Sequence, residues 1–235
     1  MVLLGTIVNT ILIIVGSVIG MFLTKIPESM RDTVTKGIGL TVMVLGLQMG
    51  IQSNNFLIII ISIVFGAVIG EILDLDGKLN KVGQKLEKRI NRFYQGNIAQ
   101  GFITATLIFV IGAMAVVGAL DSGIRGDHQV LYTKGMIDGF TALILTTTLG
   151  IGVIFSSISV FLYQGTITLL ATQIERIVPD LLMDSIIVEL TAAGGIMIFA
   201  IGLTLAGIMK IKVANLLPGL FVVCLLVPLF SYLNL

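Results

Sequence analysis

The chain has 235 residues, of which 56% are hydrophobic and 11% charged, and its apolar residues come in runs of about twenty rather than in alternating or heptad patterns. That composition excludes a soluble domain, and the lack of period-two alternation excludes a transmembrane β-barrel. The net charge of +1 gives no basis for nucleic-acid binding. What remains is an all-α, polytopic transmembrane helical bundle, expected as a single integral membrane domain over 1–235.

In chain order, the first apolar run, 2–24, has no basic region before it and no small-residue cleavage site after it, so it is expected to stay as a membrane helix. It carries Asn9 and the small pair Gly16/Gly20. Lys25, Arg31 and Lys36 then mark a cytoplasmic loop. Runs 37–52 and 55–74 come next, separated by "IQSNN" on the external side, with Gly46/Gly50 on the first and Gly66/Gly70 on the second. Glycines four apart flatten one helix face so that backbones can approach; tight packing is the plain reading and a homo-oligomer contact the sharper one. Glu71 and Asp74 close the third run as interfacial residues near lysines, and Asp76 in "DLDG" is placed to cap the next helix.

Residues 77–94 set Leu79, Val82, Leu86, Ile90 and Phe93 at helical spacing, with Lys78, Lys81, Lys85, Lys88, Arg89 and Arg92 around them. This reads as a cytoplasmic amphipathic interfacial helix drawn to anionic headgroups; a solvated connector is the blander alternative. The run 101–120 returns to the external side and ends in Asp121, and residues 121–134 are polar and external.

The stretch 135–174 is too long for one crossing of a roughly 30 Å hydrocarbon layer. It must return to the side it left, as two spans broken near Ser156 and Ser157 or as a re-entrant hairpin; two spans are preferred. Gly135 and Gly139 open it around Asp138, with Lys134 one turn before, and Tyr163 and Gln164 lie in its second half. The acidic "ERIVPDLLMDS" (175–185) is then external, Glu189 opens the run 188–209, Lys210 and Lys212 are cytoplasmic, and 213–234 is the last span. The total is seven to eight segments, eight in the preferred version, with both termini external.

Two echoes suggest an inverted repeat of segments one to three in segments six to eight. "GTI" occurs at 5–7 and 165–167, and Gly39 and Gly46 in "GIGLTVMVLGLQ" match Gly195 and Gly202 in "AGGIMIFAIGLT". Such repeats are common in secondary transporters.

Charged and amide side chains cost about 2.5–3.5 kcal/mol at the centre of a membrane helix, which makes them candidates for a pathway. The candidates for a substrate or ion pathway are Asn9, Asp121, Asp127, Asp138, Lys134, Tyr163, Gln164 and Glu189. The external excess of acids would favour cations or zwitterions. Against this stand the depletion of Lys and Arg in outer loops, and a structural salt bridge for Asp138 and Lys134. The hydroxyls of "TTTLGIGVIFSSIS" could line a broken helix or merely bond their own backbone.

No catalytic residue is assigned, because HExxH and GxSxG are absent. No cofactor is expected, and energy coupling by ATP lacks support, since no GxxxxGK[ST] loop occurs. Cys224 has no second cysteine to pair with, and His128 alone builds no metal site. "GTIVN" with "GSVIG", "GEILDLD", "GAMAVVGALDSGIRGD", "KGMIDGFTA", "YQGTITLLA", "ELTAAGGIMI" and "IGLTLAGIMKIKVANLLPGL" together resemble the bacterial inner-membrane family known as domain of unknown function 554 (YdfK/YqgA-like). The resemblance spans nearly the whole chain. It implies a multi-pass protein of the bacterial plasma membrane and brings no ligand or catalytic residue with it.

The function these residues favour is a transporter or permease for a small solute, with the lipid bilayer as its surroundings. An oligomeric channel-like pore, or a scaffold or sensor acting through 77–94, are the alternatives. An enzyme is the least favoured.

Overall fold

The structure, a computed structural model, describes residues 1–23, 28–90 and 98–233. Lys25, Arg92, Phe93 and the end of the expected 77–94 helix lie outside the described residues. All regular structure among those described is helical: α1 (Leu4–Phe22), α2 (Glu28–Gly50), α3 (Phe56–Leu73), α4 (Leu75–Ile90), α5 (Ile98–Val110), α6 (Ala113–Ile124), α7 (Gln129–Leu149), α8 (Ser156–Ile177), α9 (Asp180–Leu205) and α10 (Pro218–Leu233). Short 3₁₀ turns occupy Gly150–Phe155 and Val213–Leu216.

The helices turn their small and polar residues inward. α1 buries Gly5, Thr6, Asn9, Ile13, Gly16, Ser17 and Gly20, while Ile11, Ile14, Val15, Val18 and Ile19 stay exposed. On α3, Ser62, Gly66 and Gly70 are buried with Ile58 and Ile59, and Ile60, Val64, Phe65 and Val68 face out. A water-soluble helix shows the opposite polarity; lipid as solvent removes the drive to hide apolar groups and leaves close backbone packing to hold helices together. Among the described residues, five helical stretches are long and apolar enough to cross a membrane, or six if the bent pair α5 and α6 is one crossing. α2 is not among them, because its first half carries Glu28, Arg31, Asp32 and Lys36.

Contacts gather the chain into two compact units. The first comprises Met1–Val34, Leu79–Val110 and Met114–Ile174; the second comprises Thr35–Lys78, Ile111–Ala113 and Glu175–Leu235.

In the first unit α1 and α7 run side by side in the same direction. Gly5 meets Leu131, Gly135 meets Asn9, Gly16 meets Gly139, and Gly20 meets Leu143 and Thr146. At the Gly16–Gly139 crossing a Cβ on Gly16 would collide with the Gly139 backbone, so glycine sets the helix spacing there. Beyond α7 the 3₁₀ turn reverses the chain, and α8 climbs back until Gly165 faces Leu3. The break expected near Ser156 and Ser157 therefore falls at Gly150–Phe155, just before them. α5 meets this reversal, with Gly101 against Leu149 and Gly152 against Ile98.

The run 101–120, expected as one span, is bent. α5 and α6 meet at 62°, where Gly112 adopts φ 142°, a conformation open to glycine.

In the second unit α2 and α9 run antiparallel, with Gly39 against Gly202, Gly46 against Gly195, and Gly50 against Ile196. α3 and α10 do the same, with Gly66 against Gly219 and Gly70 against Asn215. Ile58, Ile59, Ala192, Ala193, Val223 and Val227 form the core between α3, α9 and α10.

Two further expectations are corrected. Within "ERIVPDLLMDS", α8 continues to Ile177 and α9 starts at Asp180, because Pro179 in extended conformation interrupts the helix only briefly. Glu189 consequently does not open its helix but lies nine residues inside it. The cap of α4 is also shifted. Asp74, left-handed at φ 47°, ends α3, and its carboxylate accepts the Gly77 N–H at 3.3 Å; Asp76 sits in the first turn.

Candidate functional site

The first unit holds a buried polar cluster built from three helices. α1 presents Asn9 on its glycine-lined face, α7 presents Lys134 and Asp138, and α8 presents Gln164. Asn9 and Gln164 are fully buried, and Lys134 and Asp138 are 6% and 5% exposed. The Asn9 amide donates to Gln164 Oε1 at 3.1 Å and lies beside Asp138. Lys134 Nζ and the Asp138 carboxylate form a direct ion pair one turn apart on α7. Their order, cation before anion, is the less favourable one for a helix dipole, so helix stabilisation does not account for the pair.

Asn9 and Gln164 do not satisfy each other completely. Asn9 Oδ1 and Gln164 Nε2 have no partner among the described residues, and neither do the hydroxyls of Thr6, Ser17 and Thr168. An unmet buried donor or acceptor costs about 1–3 kcal/mol, so five such atoms in one unit are not a packing detail.

The other candidates fall elsewhere. Asp121 pairs with Arg125 at 3.4 Å. Asp127 is exposed and accepts the Gln129 N–H at 3.0 Å at the start of α7. No bond among the described residues turns either carboxylate toward Asp138. Tyr163 is half-buried beside Gln164 but projects about 100° away round α8. Glu189, in the second unit, accepts from Ser53 Oγ at 2.6 Å and from the backbone N–H groups of Asn54 and Asn55 at 2.8 and 3.0 Å. Its charge is spent on the turn that starts α3, a structural use.

The hydroxyl-rich stretch resolves largely into backbone bonding, with Ser159 Oγ accepting from Thr106 Oγ1 at 3.4 Å. Thr146, Thr147 and Thr148 donate to Ala142, Ile144 and Leu145 carbonyls, and Ser156 and Ser157 to Val153 and Ile154. Groups of three or more metal-ligating side chains do not occur among the described residues.

At the far end of α3, Glu71 binds Lys212 at 2.6 Å and Asn215 at 2.5 Å. The buried Asn215 also accepts the Asp76 N–H at 2.7 Å. Lys212 is held above its ordinary pKa by its hydrogen bond to Glu71, with the nearby acids adding to it.

The family described as "Protein of unknown function (DUF554)" matches residues 4–228. The chain belongs to this family. Among curated relatives, the "Uncharacterized membrane protein YdfK" of Bacillus subtilis (strain 168) is 34% identical over 223 residues, covering 93% of each chain. The "Uncharacterized protein YqgA" of Escherichia coli (strain K12) is 28% identical over 222 residues, covering 92% of this chain and 93% of its own. No solved structure matches. With its apolar, inside-out helices, this DUF554 chain is a membrane protein.

Thr6, Ser17 and Thr168 escaped the sequence reading, although a signal was present. Thr6, Asn9, Ile13, Ser17 and Gly20 recur every three or four residues, which puts them on the same α1 face as the glycines. Asn215 escaped it because nothing local sets it apart.

Proposed function

We propose that this protein is a transporter or permease that moves a small solute through the first unit, by way of Asn9, Lys134, Asp138 and Gln164. One observation carries the reading: a membrane bundle buries an ion pair against two amides and leaves an amide oxygen and an amide nitrogen without partners. A purely structural cluster would be expected to close on itself, because lipid offers no water to complete it. Of the solute classes suggested by the external acids, cations are less well supported, since Asp121, Asp127 and Glu189 each serve a local bond.

The proposal includes eight crossings of the bacterial inner membrane with both termini external, and no enzymatic activity. Two contacts support the pairing of loop ends: Glu189 meets Ser53–Asn55, the proposed external turn, and Glu71 meets Lys212, the proposed cytoplasmic one. An inverted repeat has support in the second unit. Exchanging Gly39 with Gly195 and Gly46 with Gly202, as the sequence echo suggests, turns the Gly39–Gly202 contact into the Gly195–Gly46 contact, and both are present.

The test is flux into proteoliposomes over a panel of amines, amino acids, neutral solutes and metal ions. Saturable uptake that falls at least tenfold in Asp138→Asn is expected. Absence of flux for the whole panel, or wild-type flux in that variant, would overturn the proposal. Discrete single-channel conductance would move the reading to a pore, and an activity lost on deleting 77–94 with no flux at all would move it to a scaffold or sensor.

A further inference from the structure

Resting on the transport reading, we infer that the solute is a small uncharged molecule that both donates and accepts hydrogen bonds, of the amide, urea or polyol type. The full charges in the cluster cancel: Lys134 and Asp138 are bound to each other on one helix. An ammonium ion would therefore add net charge to a site with no counter-charge to spare, at a cost that grows steeply with burial. A zwitterion would have to split the pair to find partners for its two ends. An uncharged solute needs neither.

What the cluster offers is neutral. Among the described residues, Asn9 Oδ1 is an acceptor without a donor, and Gln164 Nε2 is a donor without an acceptor. Since Asn9 already donates to Gln164 Oε1, the two unmet atoms belong to one hydrogen-bonded amide pair. A molecule with an N–H or O–H beside a C=O or hydroxyl oxygen can complete both.

The surrounding hydroxyls extend the same chemistry. Many Ser and Thr hydroxyls in this chain turn back onto the carbonyl one turn earlier, as Thr10 does onto Thr6 and Thr204 onto Ala200, while Ser62 in the second unit is a buried hydroxyl that finds no partner among the described residues. Thr6, Ser17 and Thr168 do not turn back in this way. The Val2 carbonyl one turn before Thr6 accepts instead from Ser122 Oγ at 3.0 Å. Thr6, Asn9 and Ser17 share one face of α1 within about 80° and extend about 16 Å along it. Gln164 and Thr168 stand one turn apart on α8. The unmet atoms thus form a seam of neutral donors and acceptors on the inward faces of two helices, with the α7 ion pair alongside.

The test uses the full-length protein in liposomes and compares three sets of radiolabelled probes. They are urea, acetamide and glycerol; glycine as a zwitterion; and methylammonium as a cation. Uptake of at least one uncharged probe well above protein-free liposomes, with glycine and methylammonium at background, is expected. The double variant Asn9→Leu/Gln164→Leu should lose at least tenfold of that uptake while melting at or above the wild-type temperature, because it replaces buried unmet amides by apolar groups. Thr168→Val, which keeps the side-chain shape, should lose two- to fivefold. Uptake of methylammonium or glycine without the uncharged probes would overturn the inference and leave the transport reading standing. Osmotic water flux with no solute uptake would overturn the inference as well. Background uptake of all five probes would overturn the inference and leave the transport reading to the wider panel.

Discussion

Asn9 and Gln164 stand 155 positions apart in the chain and meet at 3.1 Å through their amides, fully buried between α1 and α8. Each is half satisfied. Replacing one alone by leucine strips the other of its partner and should cost about 1–3 kcal/mol. The double replacement by leucine should cost none of this and melt at or above the wild-type temperature. Thermal melts of the four proteins in one detergent, read as a double-mutant cycle, check this; additive losses would show that the amides do not act together.

Lys134 and Asp138 should show the same pattern more strongly. Lys134→Met or Asp138→Leu leaves one buried charge without its partner, a change that typically costs about 3–5 kcal/mol. The double variant should recover most of the stability while staying inactive in flux. Recovery of both stability and flux would remove the pair from the site.

Glu189 ties the start of α3 to α9. Glu189→Gln keeps an acceptor for the Asn54 and Asn55 N–H groups and should be tolerated within about 1 kcal/mol, whereas Glu189→Leu leaves two N–H groups unmet and should cost about 2–4 kcal/mol. Chemical unfolding in mixed micelles reads the difference. Equal losses would mean that the charge, not the acceptor, is what matters.

Glycines at crossings should separate sharply from glycines in the open. Gly16→Val or Gly139→Val forces α1 and α7 apart and should cost at least about 1–3 kcal/mol. Gly37 has nothing within 4 Å of where a Cβ would lie, so Gly37→Ala should be neutral or stabilise by up to about 1 kcal/mol. Expression yield and melting temperature compare the three directly.

Around Glu71 the buried partner should outweigh the charged one. Asn215→Ala leaves the Asp76 N–H and one Glu71 oxygen without their bonds, and about 1–3 kcal/mol should be lost. Lys212→Ala removes an ion pair open to solvent on both sides and should change the melting temperature little. Because Lys212 is held above its ordinary value by Glu71, its contribution is complete below the unfolded lysine pKa and fades only as pH rises through the higher folded one. Stability from this pair should therefore be flat between about pH 6 and 9, and a slope there would need another titrating group.

Class and solvent were legible from residues alone, because runs of apolar side chains have few structural solutions in lipid. Asn9, Lys134, Asp138 and Gln164 could be picked out for their cost at membrane depth, and the structure gathers those four. Asp121, Asp127 and Glu189 shared that cost on paper but not in space: Asp121 and Asp127 lie at helix ends, and Glu189, nine residues inside α9, faces the start of α3, so a neighbouring arginine or backbone N–H groups use each charge. Ordinary hydropathy could not separate the two groups. The bend at Gly112 was hidden for a related reason, since glycine is common in membrane helices and only the backbone angle at this one marks a break.

The i, i+4 placement of Lys134 and Asp138 on α7 also bears on how the chain enters the bilayer. A charge whose partner lies on another helix must wait, unneutralised, for that helix to arrive. These two can meet within α7 as soon as its first turns form, so the helix can partition as a net-neutral segment before α1 or α8 packs against it. The pair is then complete at insertion, and assembly of the bundle adds only the amides around it.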